Sequence, residues 1–383
     1  MNLARLNARP PSPDPLAADL MLGLLPSGCA NAPVRALSDY SLAELEAAFA
    51  ASGHKPSHAA AVLRAFYAHG RDASFGHLLL PKALAAAIEE ARGTELSTPV
   101  ARQQAADGTL KLLMRLADTR TVEAVLMPDY RADRAAGCVS SQVGCAMGCD
   151  FCATTKTGFE RNLSAGEIVE QFLALRREAA AQGRRLQTLV FMGMGEPMLN
   201  LDAVTESVRR IAGNRIGALG WRQVTVSTVG IVPGIDALAE SGLGVHLAVS
   251  LHAPDDATRA RLLPMGKRFG VGDILAAADR YRLRTGRPVT IQYCLLEGVN
   301  DSPEQARQLA ALVAGRGMHV NLLRYNPTGL SLRGVTYSAS SEARAAAFAA
   351  VLKADGAVAH CRRSRGKDID AACGQLRLRA AAS

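Results

Sequence analysis

The sequence predicts an α/β fold, a partial (βα)6 TIM-like barrel with a small N-terminal helical domain and a β-hairpin extension. Three observations carry that expectation. Six β-rich runs recur after Gly137, at Cys138 to Val143, Leu186 to Met192, Gln223 to Val229, Val245 to Leu251, Val289 to Leu296 and His319 to Tyr325. Helical patterns fill the gaps, and strands alternating with helices build a parallel sheet through right-handed crossovers. Five short motifs fall at the C-terminal ends of predicted strands, where the loops of such a barrel carry function. They are Gly144 to Cys152, Gly193 to Pro197, Ser227 to Gly230, Ser250 to His252 and Tyr325 to Pro327. A doubly wound sheet is the alternative arrangement of the same units.

In chain order, residues 1–37, with Pro10, Pro11, Pro13 and Pro15, read as a flexible arm. Residues 38–97 read as a helical accessory domain. There Ser41 and Glu44 form a capping box ahead of an Ala-rich run to Ala51, and helical stretches follow near His58 to His69 and Pro81 to Arg92. Residues 98–136 form a β-hairpin linker, in which Ala117 to Arg120 separates Leu110 to Leu116 from Thr121 to Met127. The barrel takes residues 137–383. Within it Ser164 and Glu167 cap one helix, and Ser302, Pro303 and Gln305 open another with proline at its first position.

Apolar residues at 49% and charged residues at 21% exclude a disordered or membrane-embedded chain. The apolar stretch Leu20 to Leu25 is closed by Pro26, too short for a span and poor as an export signal. A cytoplasmic protein with no membrane partner is expected. Lys and Arg exceed Asp and Glu by 44 to 35, a net +9 that favours a polyanionic partner such as nucleic acid.

Eight cysteines in 383 residues, expected to stay reduced, point to metal or redox chemistry and not to a disulfide scaffold. Cys145, Cys149 and Cys152 stand at offsets of four and three, and Gly144 and Gly148 let their loop fold tightly. Iron-sulfur clusters take thiolates, normally four, so three leave one iron of a [4Fe-4S] cluster open to an external chelate. The amino and carboxylate groups of S-adenosylmethionine (SAM) suit that position. Zinc competes for thiolates, but a closed zinc site needs four ligands, and the nearest histidines on either side are His77 and His246. Phe191 to Pro197 adds an apolar strand ending in Gly193, Gly195 and Glu196, suited to close backbone approach and to a methionine amino group. A plain strand-to-helix turn is the other reading of that segment.

Two longer stretches are more specific: Cys138-Val139-Ser140-Ser141-Gln142-Val143-Gly144-Cys145, and Gly366-Lys367-Asp368-Ile369-Asp370-Ala371-Ala372-Cys373-Gly374-Gln375-Leu376. With these the chain, over roughly Val122 to Leu376, resembles the RlmN/Cfr family of radical SAM RNA methyltransferases. The resemblance implies a radical SAM barrel whose C-terminal segment carries a methyl-bearing Cys373, a resolving Cys138 and a proton acceptor at Glu123. It places Gly195, Glu196, Ser227, Ser250, Leu251, His252 and Asn326 around SAM, with two SAM molecules consumed per turnover. An exposed strand glutamate and a satisfied strand-end histidine are the plain alternatives at Glu123 and His252. The sequence departs from the family pattern at Arg324, where proline is common, and at the extra thiol Cys361; Cys294 and Cys29 read as structural or incidental.

The implied chemistry accounts for the two cysteines outside the cluster loop. Adenine C2 is electron-poor and cannot attack a sulfonium methyl, whereas a Cys373 thiolate can. A 5′-deoxyadenosyl radical then activates the S-methyl group, and Cys138 releases the methylated base by forming a disulfide that an external reductant reopens. The implied substrates are 23S ribosomal RNA and, left open, transfer RNA. Arg362, Arg363, Arg365 and Lys367 stand ready for phosphates just before Cys373. An electron donor such as flavodoxin or ferredoxin is an expected partner, and the protein is expected to be a monomer. Methylation at adenine C8 and a non-methylating iron-sulfur RNA-binding or redox protein are the other hypotheses.

Overall fold

The computed structural model describes residues 35–264 and 268–376. Nearly all of the arm expected over 1–37, Cys29 included, lies outside them. Three helices come first, α1 (Leu42–Ala51), α2 (Ser57–His69) and α3 (Lys82–Gly93). The Glu44 N–H donates to Ser41 Oγ at 3.2 Å and the Ser41 N–H to the Glu44 carboxylate at 2.7 Å, so the capping box starts α1 as the residues predict.

Next comes a meander of β1 (Ser97–Gln104), β2 (Leu110–Leu116) and β3 (Thr121–Pro128). Its hairpin over β2 and β3 matches the expectation. The third strand, β1, went unread because it contains Pro99 and is exposed along much of its length. Then follow β4 (Arg134–Cys138), β5 (Gln142–Gly144), β6 (Phe159–Asn162), α4 (Ala165–Ala181), β7 (Arg185–Phe191), α5 (Leu201–Ala212), β8 (Val224–Thr228) and α6 (Val232–Glu240). The chain continues through β9 (His246–Ser250), α7 (Asp256–Leu262), α8 (Val271–Thr285), β10 (Val289–Leu295), α9 (Pro303–Val313), β11 (His319–Arg324), α10 (Glu342–Ala354) and β12 (Val358–Arg362).

One ten-stranded sheet runs in the order β1-β2-β3-β4-β7-β8-β9-β10-β11-β12, parallel from β4 to β12 and antiparallel through the meander. The parallel part therefore has one strand more than the six expected. β12 is exposed at four of its five residues and lacks an apolar run, which hid it. The first barrel strand also ends at Cys138 where it was expected to begin. Its Arg-Ala-Ala-Gly-Cys sequence has little β propensity, but α4 and β7 demand small residues: a Cβ on Gly137 would lie 3.1–3.3 Å from Leu175, Leu186 and Leu189. The expected Val143 end belongs instead to β5, which pairs with β6 in a separate two-stranded ribbon.

Helical region and barrel share one continuous apolar core. Polar ties fix their junction: Ser38 donates to the buried Glu170 at 2.7 Å, Arg71 donates to the same carboxylate at 3.1 Å, and Arg210 donates to the Ser38 carbonyl at 2.9 Å.

Candidate active site

The five strand-end motifs converge. One cavity at the C-terminal edge of the parallel strands is lined by Cys145, Cys149, Cys152, Gly195, Glu196, Ser227, Ser250, His252, Asn326 and Cys373, among others. Leu251 is fully buried and does not line it.

The three-cysteine loop is locked from several sides. Gly144 has φ 72°, and a Cβ there would fall 1.8 Å from the Gly158 carbonyl oxygen, which accepts the Cys145 N–H at 2.9 Å. The Thr155 hydroxyl lies 3.1 and 3.0 Å from the carbonyls of Cys149 and Cys152. Asp150 donates its N–H to the Leu262 carbonyl at 2.9 Å and accepts from the Tyr337 hydroxyl at 2.7 Å and the Arg333 N–H at 3.1 Å. Burial pushes all three thiols up, Cys145 to about 12, so each binds metal only by giving up a proton.

Among the described residues no three Cys, His, Asp or Glu side chains converge on a point that a single ion could occupy. The three thiols instead face one cavity and lie within electrostatic reach of one another. Three soft donors around a shared space fit a multi-iron cluster and not a closed zinc site.

Beside them Gly195 has φ 101°, and a Cβ on it would fall 2.6 Å from Gln142 Cβ, so the strand end packs there with no room for a side chain. Glu196 is buried and accepts the N–H groups of Val229 at 2.8 Å and Met198 at 3.1 Å. Burial outweighs those bonds and raises its carboxyl to about 7. A buried carboxylate with spare lone pairs suits an ammonium group. His252 takes φ 60°, rare outside glycine. It is held there by its carbonyl, which accepts from Asn300 at 2.7 Å, and by its Nδ1, which accepts the Cys294 N–H at 3.0 Å. Burial and then the Arg259 charge lower its pKa to about 3, so the ring is neutral, and it meets Phe151 edge-on at 5.0 Å. Asn326 donates to the Cys373 carbonyl at 3.3 Å while its Oδ1 is buried without a hydrogen-bond partner.

Cys373 lines the cavity and keeps surface open to solvent; burial still raises its thiol, and Arg362 partly offsets this. Cys138, buried at the end of β4, is raised to about 12 by burial first and by Cys373 second, so it lies within electrostatic reach of Cys373. Glu123 is not the exposed strand glutamate of the plain alternative. It is 2% exposed, 3.2 Å from Lys111 Nζ, and shares a sheet face with Cys138, which pairs with Val125 two residues along. Burial lifts its carboxyl to about 7 against the opposing pull of Lys111.

Gln292 and Cys294 also line the cavity. Cys294, read as incidental, is within electrostatic reach of both Cys373 and Cys152. The available signal was period-two polarity, Thr290, Gln292 and Cys294 alternating with apolar residues in β10.

This fold and thiol arrangement define a radical SAM enzyme, and the radical SAM superfamily model matches residues 139–310. A probable dual-specificity RNA methyltransferase RlmN 1 of Opitutus terrae is 66% identical over 90% of this chain and 97% of its own length. A probable dual-specificity RNA methyltransferase RlmN of Rhodopirellula baltica is 43% identical over 89% of this chain and 90% of its own. The crystal structure of a radical SAM methyltransferase from Sphaerobacter thermophilus matches with TM-score 0.81 and 44% identity, over 90% of this chain and 99% of that one. The chain belongs to the RlmN family of radical SAM RNA methyltransferases, which implies a [4Fe-4S] cluster and SAM as its cofactors. Among the described residues no helix is long and apolar enough to cross a membrane.

Proposed function

We propose that this enzyme methylates adenine C2 in 23S ribosomal RNA and in transfer RNA, through a methyl group carried on Cys373. The relatives' dual-specificity names support two RNA classes. The observation that supports the mechanism is that Cys373 faces the same cavity as the three-cysteine loop and lies within electrostatic reach of Cys138, a second thiol outside that loop.

Cys145, Cys149 and Cys152 are the cluster ligands in this reading, with Gly195, Glu196, Ser227, Ser250, the Leu251 backbone, His252 and Asn326 around SAM. When bound, two SAM molecules and the cluster supply first a methyl cation equivalent and then a radical that removes a hydrogen atom. Cys373 takes the methyl group as a thiolate, and its carbon then bonds to the adenine ring. Glu123 accepts the proton that leaves the ring carbon, and the unpaired electron left on the adduct would pass to the oxidised cluster. Cys138 attacks the Cys373 sulfur as a thiolate, the sulfur–carbon bond breaks toward carbon, that carbon takes up a proton, the base leaves methylated and a disulfide forms. Two electrons from an external donor of the flavodoxin or ferredoxin kind reopen it. Arg362, Arg363 and Lys367, all exposed, hold RNA phosphates, and Tyr130, 93% exposed with Arg365 5.8 Å from its ring centre, offers a stacking face to an unpaired base.

Mass spectrometry of RNA from a deletion strain tests the assignment, with loss of 2-methyladenosine from both RNA classes expected. Loss of 8-methyladenosine alone would replace C2 by C8. The reconstituted enzyme should release 5′-deoxyadenosine, Cys373→Ala should abolish methyl transfer, and Cys138→Ala should trap RNA covalently on Cys373. A Cys373→Ala enzyme that still methylates would refute the carrier role.

A further inference from the structure

Arg259, in α7, is fully buried and is the largest fully buried side chain among the described residues. Its guanidinium donates to the Val229 carbonyl and reaches the Phe269 carbonyl at 3.5 Å, while Nε has no hydrogen-bond partner. Among the described residues it forms no salt bridge. The acid that acts on it is Asp256, whose Oδ1 is itself engaged by the Val271 N–H at 2.7 Å. A guanidinium taken out of water without a carboxylate partner carries a heavy desolvation cost, which calls for a compensating negative charge.

The surroundings point to the three-cysteine loop. α7 ends against the three-cysteine loop: the Leu262 carbonyl accepts the Asp150 N–H at 2.9 Å and Pro264 packs beside Gly148. Cys149 and Arg259 are within electrostatic reach of each other. Arg259 does not line the cavity, so its charge acts on the loop from behind. Three thiolates on a four-iron core leave the assembly net negative, and one-electron reduction makes it more so.

We propose that Arg259 is a positioning residue for the redox centre, a fixed buried counter-charge behind the three-cysteine loop that favours uptake of the reducing electron. This rests on the reading of Cys145, Cys149 and Cys152 as cluster ligands. The tie to Val229 extends its influence, since the same residue's N–H holds Glu196.

Redox titration of the anaerobically reconstituted enzyme, followed by electron paramagnetic resonance, tests it. Arg259→Gln, compared at equal iron content, should lower the reduced-to-oxidised ratio at a fixed donor potential by at least tenfold, about 59 mV for a one-electron couple. Arg259→Lys, which keeps the charge, should stay near wild type. Asp256→Asn keeps the acceptor for Val271 and should shift the potential modestly the opposite way, which maintains the test if the glutamine variant fails to load iron. A wild-type potential in Arg259→Gln overturns the proposal. A wild-type potential combined with weakened SAM binding overturns it too, and assigns the guanidinium to the SAM carboxylate. If Arg259→Gln loads no iron, an unshifted Asp256→Asn is the overturning result. A wild-type chain that takes up no cluster overturns the cluster reading itself, a failure distinct from an unmoved potential.

Discussion

Glu123 and Glu196 are two buried carboxyls raised to about 7 for the same first reason, loss of hydration, and their neighbours differ. Lys111 opposes the shift at Glu123, and backbone N–H groups oppose it at Glu196. Since each folded value lies above the ordinary 4.5, each carboxylate appears only as pH rises through about 7. A proton acceptor must be ionised, so methyl transfer should fall as pH drops below 7. Glu123→Gln should cost roughly 10²- to 10⁴-fold in methyl transfer, the usual worth of general base catalysis. Release of 5′-deoxyadenosine should retain its pH dependence in that variant, because Glu196 is untouched. Single-turnover assays of both products over pH 5.5–8.5 check this, and parallel loss of both would assign Glu123 a role in SAM binding.

Among the elements, those whose function sits at strand ends were the most legible. Glycines at 144 and 195 and thiols at 145, 149 and 152 are local requirements of a loop, so spacing alone exposed them. β4 and β12 were misplaced or missed because their residues are chosen by neighbours: Gly137 by the leucines of α4 and β7, and the polar β12 by its place at the sheet edge. The place of Cys294 in the cavity lining was not legible because its face depends on strand register, which a run of β-formers does not reveal. Arg259 was unreadable, since a helical arginine becomes exceptional only when folding buries it. At this scale Gly144→Ala should be disabling, because the left-handed backbone alone costs on the order of 1–3 kcal/mol and the new methyl meets the Gly158 carbonyl. Iron per chain should fall severalfold while the far-UV circular dichroism stays native-like. Wild-type iron loading in that variant would show that the Gly158 contact is dispensable.

Across the whole molecule, the C-terminal segment is held by three parts of the chain remote in sequence, one being the turn after β11, where Asn326 donates to the Cys373 carbonyl at 3.3 Å and the Pro327 carbonyl accepts from Gln375 at 3.2 Å. On one side the turn between β1 and β2 grips it: the Gly366 N–H donates to Asp107 at 3.0 Å and the Ala106 N–H donates to Asp368 at 2.9 Å. On the other, the cluster loop takes hold, the Ala153 N–H donating to the Gly374 carbonyl at 2.7 Å and the Thr154 hydroxyl to the Leu376 carbonyl at 2.6 Å. Cys373 therefore hangs between an antiparallel extension and the three-cysteine loop, and its aim depends on these anchors together with Asn326. Asp107 also accepts the Thr109 N–H at 2.9 Å, so one carboxylate shapes the turn and ties down the segment. Hydrogen bonds to a charged group contribute about 1.5–3 kcal/mol each, enough for their loss to free the segment's leading end. Asp107→Ala should thus reduce methylation of Cys373 tenfold or more and open the chain to proteolysis between 362 and 372. Iron content and 5′-deoxyadenosine release should hold at wild-type levels, because the three-cysteine loop and its bonds to the segment are unchanged. Mass spectrometry of the peptide containing Cys373 reads the first effect, and limited trypsin digestion at Arg362, Arg363, Arg365 and Lys367 reads the second. Full Cys373 methylation in a chain that is readily cut there would show that the thiol is aimed without the β1–β2 turn.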